Sequence, residues 1–332
     1  MGALTIFGGT SAFFATGVYL FRRRISAKWL TAGSITHPIA LTKKHTIVIT
    51  GGNTGLGYET ALDLARRGAP IILGCRDTVS AQTAVNSIRA ATGNEDVSHM
   101  ELDLSSLASV RKFAMDLKEK ETLYALICNA GVWMPMDQKK KTNDGFEVHF
   151  GVNHLAHFLL VQELLPLLKN SGMGSRVVFV SSSLSKSGKI DMQSKDFVTE
   201  GREQPEKGFA PSGYCDSKLM NAITARYLAK ELEGSNVTAY AVCPGFCKSQ
   251  LGRYVEMPSY KRLIVGSLMR LFQRSSVQGA QNIIYTTVQD TSKLESGGFY
   301  QDGQVNDEMM TSHKDIEKPL WDLSMKLIIP AD

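Results

Sequence analysis

Tyr214 and Lys218 stand four residues apart in the run Tyr214-Cys215-Asp216-Ser217-Lys218. On a helix, side chains at that spacing share a face. A free phenol titrates near pH ~10 and is a poor acid–base group at neutral pH. A neighbouring ammonium favours the phenolate and lowers that pKa. The pair therefore reads as a proton donor and acceptor for an alcohol or a carbonyl. The spacing is common by chance, so it gains force only from a second motif.

Thr50-Gly51-Gly52-Asn53-Thr54-Gly55-Leu56-Gly57 supplies one. A dinucleotide pyrophosphate needs backbone N–H groups at a helix N-terminus. It also needs positions without Cβ, so that the backbone can come close. Gly51, Gly55 and Gly57 meet that need, with Asn53, Thr54 and Leu56 between them. An ordinary tight turn is the competing reading, and the place between a strand and a helix favours the nucleotide. Further on, Gly74-Cys75-Arg76-Asp77 ends the second strand. A site selective for NAD puts an acid there to bind the ribose 2′-OH. Cys75 holds that place and Arg76 follows, and a guanidinium fork suits a 2′-phosphate. The expected cofactor is NADP(H). Asp77 is either a competing carboxylate or the cap of the next helix.

The elements that must position these groups alternate. Apolar or β-branched runs at 46–50, 71–75, 125–128, 176–180 and 237–242 read as buried strands, with a strand end at 100–102 and a last piece at 298–300. Helical periodicity falls between them at 58–67, 79–91, 106–119, 152–169 and 213–233. The expected fold is α/β, a single Rossmann-type doubly wound parallel sheet with helices on both faces. The catalytic domain is expected over 45–332.

Other chemistries fit less well. The composition, 43% apolar and 21% charged, is that of an ordinary globular protein. A net charge of +5 spread along the chain does not make a nucleic-acid groove. The basic run 139–141 reads as a solvated loop. Cys75, Cys128, Cys215, Cys243 and Cys247 form no CxxC pair and no disulfide framework. They read as small buried thiols in a reducing compartment. His149, His154 and His157 are close in sequence but lack the carboxylate or cysteine pattern of a metal site, so no metal is expected.

Residues 2–21 are nearly uncharged, and Arg22, Arg23, Arg24 and Lys28 follow. A spanning helix needs ~20 such residues. A secretory signal would carry its charge in front of the apolar run. Residues 1–24 are therefore expected to be a membrane anchor and 25–44 a linker, with the domain on the cytosolic side. The endoplasmic reticulum is the expected membrane. The absence of Asp and Glu before Lys44 keeps a mitochondrial address as the alternative.

Taken in order, the motifs resemble the short-chain dehydrogenase/reductase family from about Lys44 to Tyr300. They are the glycine turn, Asp103-Leu104, Asn129-Ala130-Gly131, Asn153, Ser181-Ser182-Ser183, Tyr214 with Lys218, and Pro244-Gly245. The resemblance implies that Tyr214 is the proton donor or acceptor. It implies that Lys218 holds the ribose hydroxyls and lowers the Tyr214 pKa. Ser182 would hydrogen-bond the substrate oxygen, and Asn153 would hold a water linking Lys218 to solvent. Asp103, with Leu104, would contact adenine. Asn129, Ala130 and Gly131 would line the cofactor, and Pro244, Gly245 and Ser249 would bracket the nicotinamide. Within the family, Cys75-Arg76-Asp77, residues 144–160 and the N-terminal apolar run look most like membrane retinol dehydrogenases. They also look like related polyprenol, sterol and orphan reductases. Ala156 departs from the glycine these relatives carry.

Residues 246–275 follow the Pro-Gly turn and read as a substrate lid. Its apolar residues, among them Leu263, Leu268 and Phe272, are interrupted by Lys261, Arg262, Arg270 and Arg274. A basic face resting on lipid headgroups and an amphipathic helix packed on the core are equally consistent. The expected substrate is a small lipophilic alcohol or carbonyl compound. An NAD-linked mitochondrial dehydrogenase and a membrane-tethered NADP(H) sensor are the rival readings. A homodimer and a monomer both stay open.

Overall fold

The computed structural model describes residues 35, 38–135, 138, 140–201, 210–247, 251, 273–306, 308–309 and 312–329. Its centre is a sheet whose order, among the described residues, is β3-β2-β1-β4-β5-β6-β7-β8. The strands are β1 (Ile47–Thr50), β2 (Ile71–Cys75), β3 (Val97–Glu101), β4 (Ala125–Cys128), β5 (Ser175–Val180), β6 (Val237–Cys243), β7 (Phe299–Gln301) and β8 (Gln304–Val305). β1 to β7 pair in parallel. β8 runs antiparallel to β7, which corrects the expectation of a wholly parallel sheet. The reason is local: Asp302 at φ 54° and Gly303 at φ 78° reverse the chain in a two-residue hairpin.

Each central strand feeds both faces, because successive side chains alternate. Ile47 and Ile49 join one core cluster and Val48 the other. On the first face lie α1 (Gly55–Arg66), α2 (Thr78–Thr92) and α7 (Ser276–Val288), contributing Leu64, Ile88 and Ile284. On the second lie α3 (Leu107–Leu117), α4 (Ala156–Lys169), α6 (Ser212–Glu231) and α8 (Glu317–Leu327), contributing Phe113, Leu164, Leu219 and Leu320. A short α5 (Asp196–Thr199) packs near the start of α4. The doubly wound architecture is thus as expected, whereas α7 and α8 add helices that the periodicity reading did not place.

Two boundaries differ from the sequence expectation. The helix expected at 152–169 opens with a π-helical turn, Phe150–Leu155, before α4. Within the stretch expected as linker, residues 38–41 are already seated on the domain: Pro38 bridges to Gln289, Ile39 N–H donates to the Val288 carbonyl at 2.6 Å, and Leu41 is buried. Burying an apolar leucine and pairing an edge backbone both favour docking over a free tether. The expected anchor at 1–24 lies outside the described residues. Among the described residues, no helix is long and apolar enough to cross a membrane.

Between β1 and β4 the strand order reverses direction. Crevices at the carboxyl ends of strands beside such a reversal are the usual ligand sites of open α/β sheets.

Candidate active site

The glycine turn leaves β1 at that reversal. The Thr50 hydroxyl oxygen accepts from the backbone N–H groups of Asn129 and Ala130, each at 3.0 Å. Asn129 Nδ2 donates back to the Thr50 carbonyl at 2.9 Å. These bonds lock the ends of β1 and β4 side by side. Gly51 and Gly55, at φ 63° and 58°, then swing the chain into α1. At Gly57 an added Cβ would meet the Gly51 carbonyl and lie 2.6 Å from Asn129 Nδ2, so the helix start sits hard against the turn. Thr54 occupies the N-cap without a side-chain cap bond. The first amides of α1 therefore have no side-chain cap, and a helix end of this kind favours an anion. Asn53 Nδ2 donates to Ser80 Oγ at 3.0 Å and ties the turn to α2.

At the end of β2 the two candidates for the ribose separate. Asp77 caps α2, its Oδ1 accepting from Ser80 N–H at 3.0 Å. Arg76 is exposed. Asp103 Oδ1 accepts from the N–H and hydroxyl of Ser105 at 2.9 and 2.8 Å. Leu104 is buried in the core, which leaves only its backbone for a ligand.

The candidate proton-handling groups come from three elements. Tyr214 and Lys218 lie on the first turns of α6 and are buried. The Tyr214 hydroxyl hydrogen-bonds Ser182, whose Oγ also accepts from Leu184 N–H at 3.2 Å at the end of β5. Neighbouring Ser181 points the other way and donates to the Lys218 carbonyl at 2.6 Å, as strand alternation requires. Lys218 Nζ donates to the Val180 carbonyl at 2.8 Å and stands 5.7 Å from the centroid of the Tyr214 ring. Asn153, in the π turn, accepts from Val132 N–H at 2.7 Å through Oδ1. Its Nδ2 donates to the Val132 carbonyl at 3.1 Å and to Ser217 Oγ at 3.0 Å. Gly131 admits this packing: an added Cβ would lie 3.2 Å from Asn153 Oδ1 and 3.6 Å from Lys218 Nζ. The Trp133 ring lies 4.7 Å from that of Tyr214.

Burial sets the electrostatics. It pushes the Tyr214 phenol above its ordinary range, opposed by the Ser182 hydrogen bond. It pulls Lys218 down to about 8. The net rise at Tyr214 follows from desolvation, which disfavours the charged form of a buried acid. At neutral pH the pair is a protonated phenol beside an ammonium, an arrangement that gives a proton.

The residues expected to bracket the nicotinamide follow β6. Gly245 has φ 80°, and its backbone lies on the Arg274 guanidinium, 2.7 Å from an added Cβ to Cζ. Arg274 donates to the Pro244 carbonyl at 3.3 Å and makes a two-point ion pair with Asp302, at 2.5 and 3.0 Å. Its backbone N–H donates to the Phe246 carbonyl at 2.8 Å, and Cys247 bridges to it. Ser249 and most of the expected lid lie outside the described residues. The sequence reading missed this clamp by placing Arg274 among the lid's basic residues. The Asp302-Gly303 pair after an apolar run was the available signal, because such pairs mark hairpins.

The three histidines serve separate purposes. His149 contacts Glu147 at 2.6 Å and accepts from Met134 N–H at 3.0 Å. His154 contacts Ser324 Oγ at 3.1 Å, and His157 contacts Thr50 Oγ1 at 2.9 Å. Burial lowers His154 to about 3 and His157 to about 4, so both are neutral. Among the described residues, no group of three His, Cys, Asp or Glu is arranged to hold a metal. All five cysteines are free thiols, and Cys247 alone is less than fully buried.

Residues 45–194 match the short chain dehydrogenase family. The chain is 40% identical to mouse retinol dehydrogenase 11 over 95% of its own length and 96% of that protein. It is 38% identical to human retinol dehydrogenase 12 over 98% of each. Among solved structures, a Mycobacterium paratuberculosis protein described as putative and uncharacterized superposes with a TM-score of 0.66 at 30% identity, over 90% of this chain and 97% of that one. The Pseudomonas aeruginosa RhlG/NADP active-site complex gives 0.63 at 24% identity over 81% and 98%, a likeness of fold.

Proposed function

The chain belongs to the short-chain dehydrogenase/reductase family, as an oxidoreductase acting on CH–OH donors, and from that premise we propose that it is an NADP(H)-dependent reductase of a lipophilic, retinal-like carbonyl compound. The observation that carries the reading is the Ser182–Tyr214–Lys218 constellation beside a glycine turn whose helix start is left uncapped.

The residues fit a dinucleotide. Gly57 sits so close to the turn that a Cβ there would run into the Gly51 carbonyl, and the start of α1 carries no side-chain cap. Arg76, exposed while Asp77 caps α2, would take the 2′-phosphate, which favours NADP(H) over NAD(H). Asp103 would face the adenine, and Asn129 to Gly131 would line the ribose and nicotinamide. Pro244, Gly245 and Ser249 would bracket the nicotinamide from the other side.

When bound, the nicotinamide gives or takes the hydride. The chain does the rest. Ser182 orients the substrate oxygen by hydrogen bonding. Tyr214, held protonated by burial, donates its proton to that oxygen as the carbonyl carbon is reduced. Lys218 stabilises the phenolate left behind, and Asn153 holds the end of β4 against α6. In oxidation the same groups act in reverse. The kinship with retinol dehydrogenases supports a retinoid-like substrate class. Residues 1–24 would tether the enzyme to a membrane of the endoplasmic reticulum, with lipid as its neighbour and a lipid-soluble substrate as its partner.

The test is turnover of the full chain in mild detergent. NADPH or NADH oxidation is followed against all-trans-retinal, a long-chain aldehyde, a ketosteroid and a polyprenal, with Tyr214→Phe in parallel. Turnover with NADPH is expected, with a loss of at least about 100-fold in Tyr214→Phe, the usual scale for a general acid. Equal or better turnover with NADH would overturn the role given to Arg76.

A further inference from the structure

His157 sits in the first turn of α4 and is wholly buried, yet both its ring nitrogens are engaged. Nδ1 lies 3.0 Å from the Asn153 carbonyl. A carbonyl only accepts, so Nδ1 carries the hydrogen. Nε2 is then a lone pair, and the Thr50 hydroxyl 2.9 Å away donates to it rather than to the more distant Ile127 carbonyl at 3.4 Å. That orientation leaves the Thr50 oxygen free to accept from the Asn129 and Ala130 amides. A single tautomer of His157 thus fixes a continuous chain. It runs from the Asn129 and Ala130 amides through the Thr50 hydroxyl and the imidazole to the Asn153 carbonyl.

The two ends of that chain do different work. Thr50 begins the glycine turn and joins β1 to β4. Asn153 braces Val132 and Ser217, one residue from Lys218, and its carbonyl also accepts from Asn221 Nδ2 at 3.0 Å on α6. We propose that His157 is a positioning residue that holds the phosphate turn and the proton-handling end of α6 in register through one imidazole. Burial keeps the ring neutral, and a protonated ring would offer Thr50 a donor where it needs an acceptor. The inference rests on the reading of the site as a nicotinamide-dependent one.

Two conservative variants divide the link. His157→Asn keeps an N–H donor near the Nδ1 position and loses the bond to Thr50. His157→Gln brings an amide oxygen near the Nε2 position and loses the bond to Asn153. The full chain in detergent is compared for NADPH dissociation constant by nicotinamide fluorescence, for thermal midpoint, and for kcat with the panel carbonyl that wild type reduces fastest. A small misplacement of reacting groups costs up to about 100-fold. His157→Asn is expected to weaken NADPH about 10-fold while keeping kcat within about 3-fold, and His157→Gln to do the opposite. Loss of thermal stability in both, with no split between affinity and kcat, would overturn the proposal. So would two variants that match wild type throughout. Wild-type protein that binds neither NADPH nor NADH would instead overturn the functional reading, and the inference with it.

Discussion

The turn at 50–57 and the turn at 244–247 both stand at the carboxyl edge of the sheet, after β1 and β6, and they are held by different means. Each leaves the carboxyl end of a strand, and each uses glycine at positive φ. The first is held from within, by Thr50, Asn129 and the close seat of Gly57, through neutral hydrogen bonds between adjacent strands. The second is held from outside, by an ion pair between Arg274 and Asp302 that reaches across 28 positions of sequence. A phosphate asks for a fixed ring of amides, which local backbone geometry delivers. The clamp instead joins residues 244–247 to Arg274 and Asp302, which lie far along the sequence.

Breaking the clamp is the strongest test of that contrast. Arg274→Met leaves the half-buried Asp302 without its ion-pair partner, and losing a charged hydrogen-bond partner of this kind costs about 2 kcal/mol. The thermal midpoint is expected to fall and KM for the carbonyl to rise more than the NADPH dissociation constant does. Equal changes in both would show that the two turns are not held separately.

Gly57→Ala probes the other side. Its methyl would run into the Gly51 carbonyl, and overpacking of this kind costs about 1–3 kcal/mol. NADPH affinity is expected to drop about 10-fold or more. Retained affinity, measured by fluorescence titration, would show that the turn can spread. Arg76→Ala sharpens the comparison within the nucleotide side. Removing a charged hydrogen-bond partner costs about 2 kcal/mol. The preference for NADPH over NADH should shrink by roughly 30-fold, while thermal stability stays put because Arg76 is exposed.

The smallest effect is on pH. Burial holds Lys218 at about 8, below its ordinary value. Below that pH the ammonium stabilises the phenolate that forms as Tyr214 gives up its proton. Above it the charge is lost. The reductive kcat/KM is therefore expected to be level below about pH 8 and to fall above it. Lys218→Arg keeps its charge throughout, so any residual activity should lose that fall.

Legibility in the sequence followed the same division. β1, β2, β4, β5 and β6 were readable because buried parallel strands are short apolar runs. The glycine turn was readable because its function depends on residues adjacent in sequence. Among the three neighbouring serines, Ser182 could be singled out by alternation and family resemblance, and its contact with Tyr214 agrees with that choice. What escaped were features made by distant partners. α7 and α8 lie beyond the motifs, and the Arg274–Asp302 pair joins residues with no shared periodicity. The desolvation of Tyr214 escaped as well, because it is a property of everything packed around a group, not of its neighbour four residues away.

The chain's own order of residues determined a sheet wound on both faces, a glycine turn at its switch point and a tyrosine–lysine pair on one helix face. Those follow from the periods of strand and helix and from what glycine permits. Only the tertiary structure decided that Asp77 caps a helix while Arg76 stays exposed. Only it showed that His157 joins two ends of the site, and that burial keeps the Tyr214 phenol protonated. These depend on which polar groups meet once water is excluded, and a linear sequence does not carry that information.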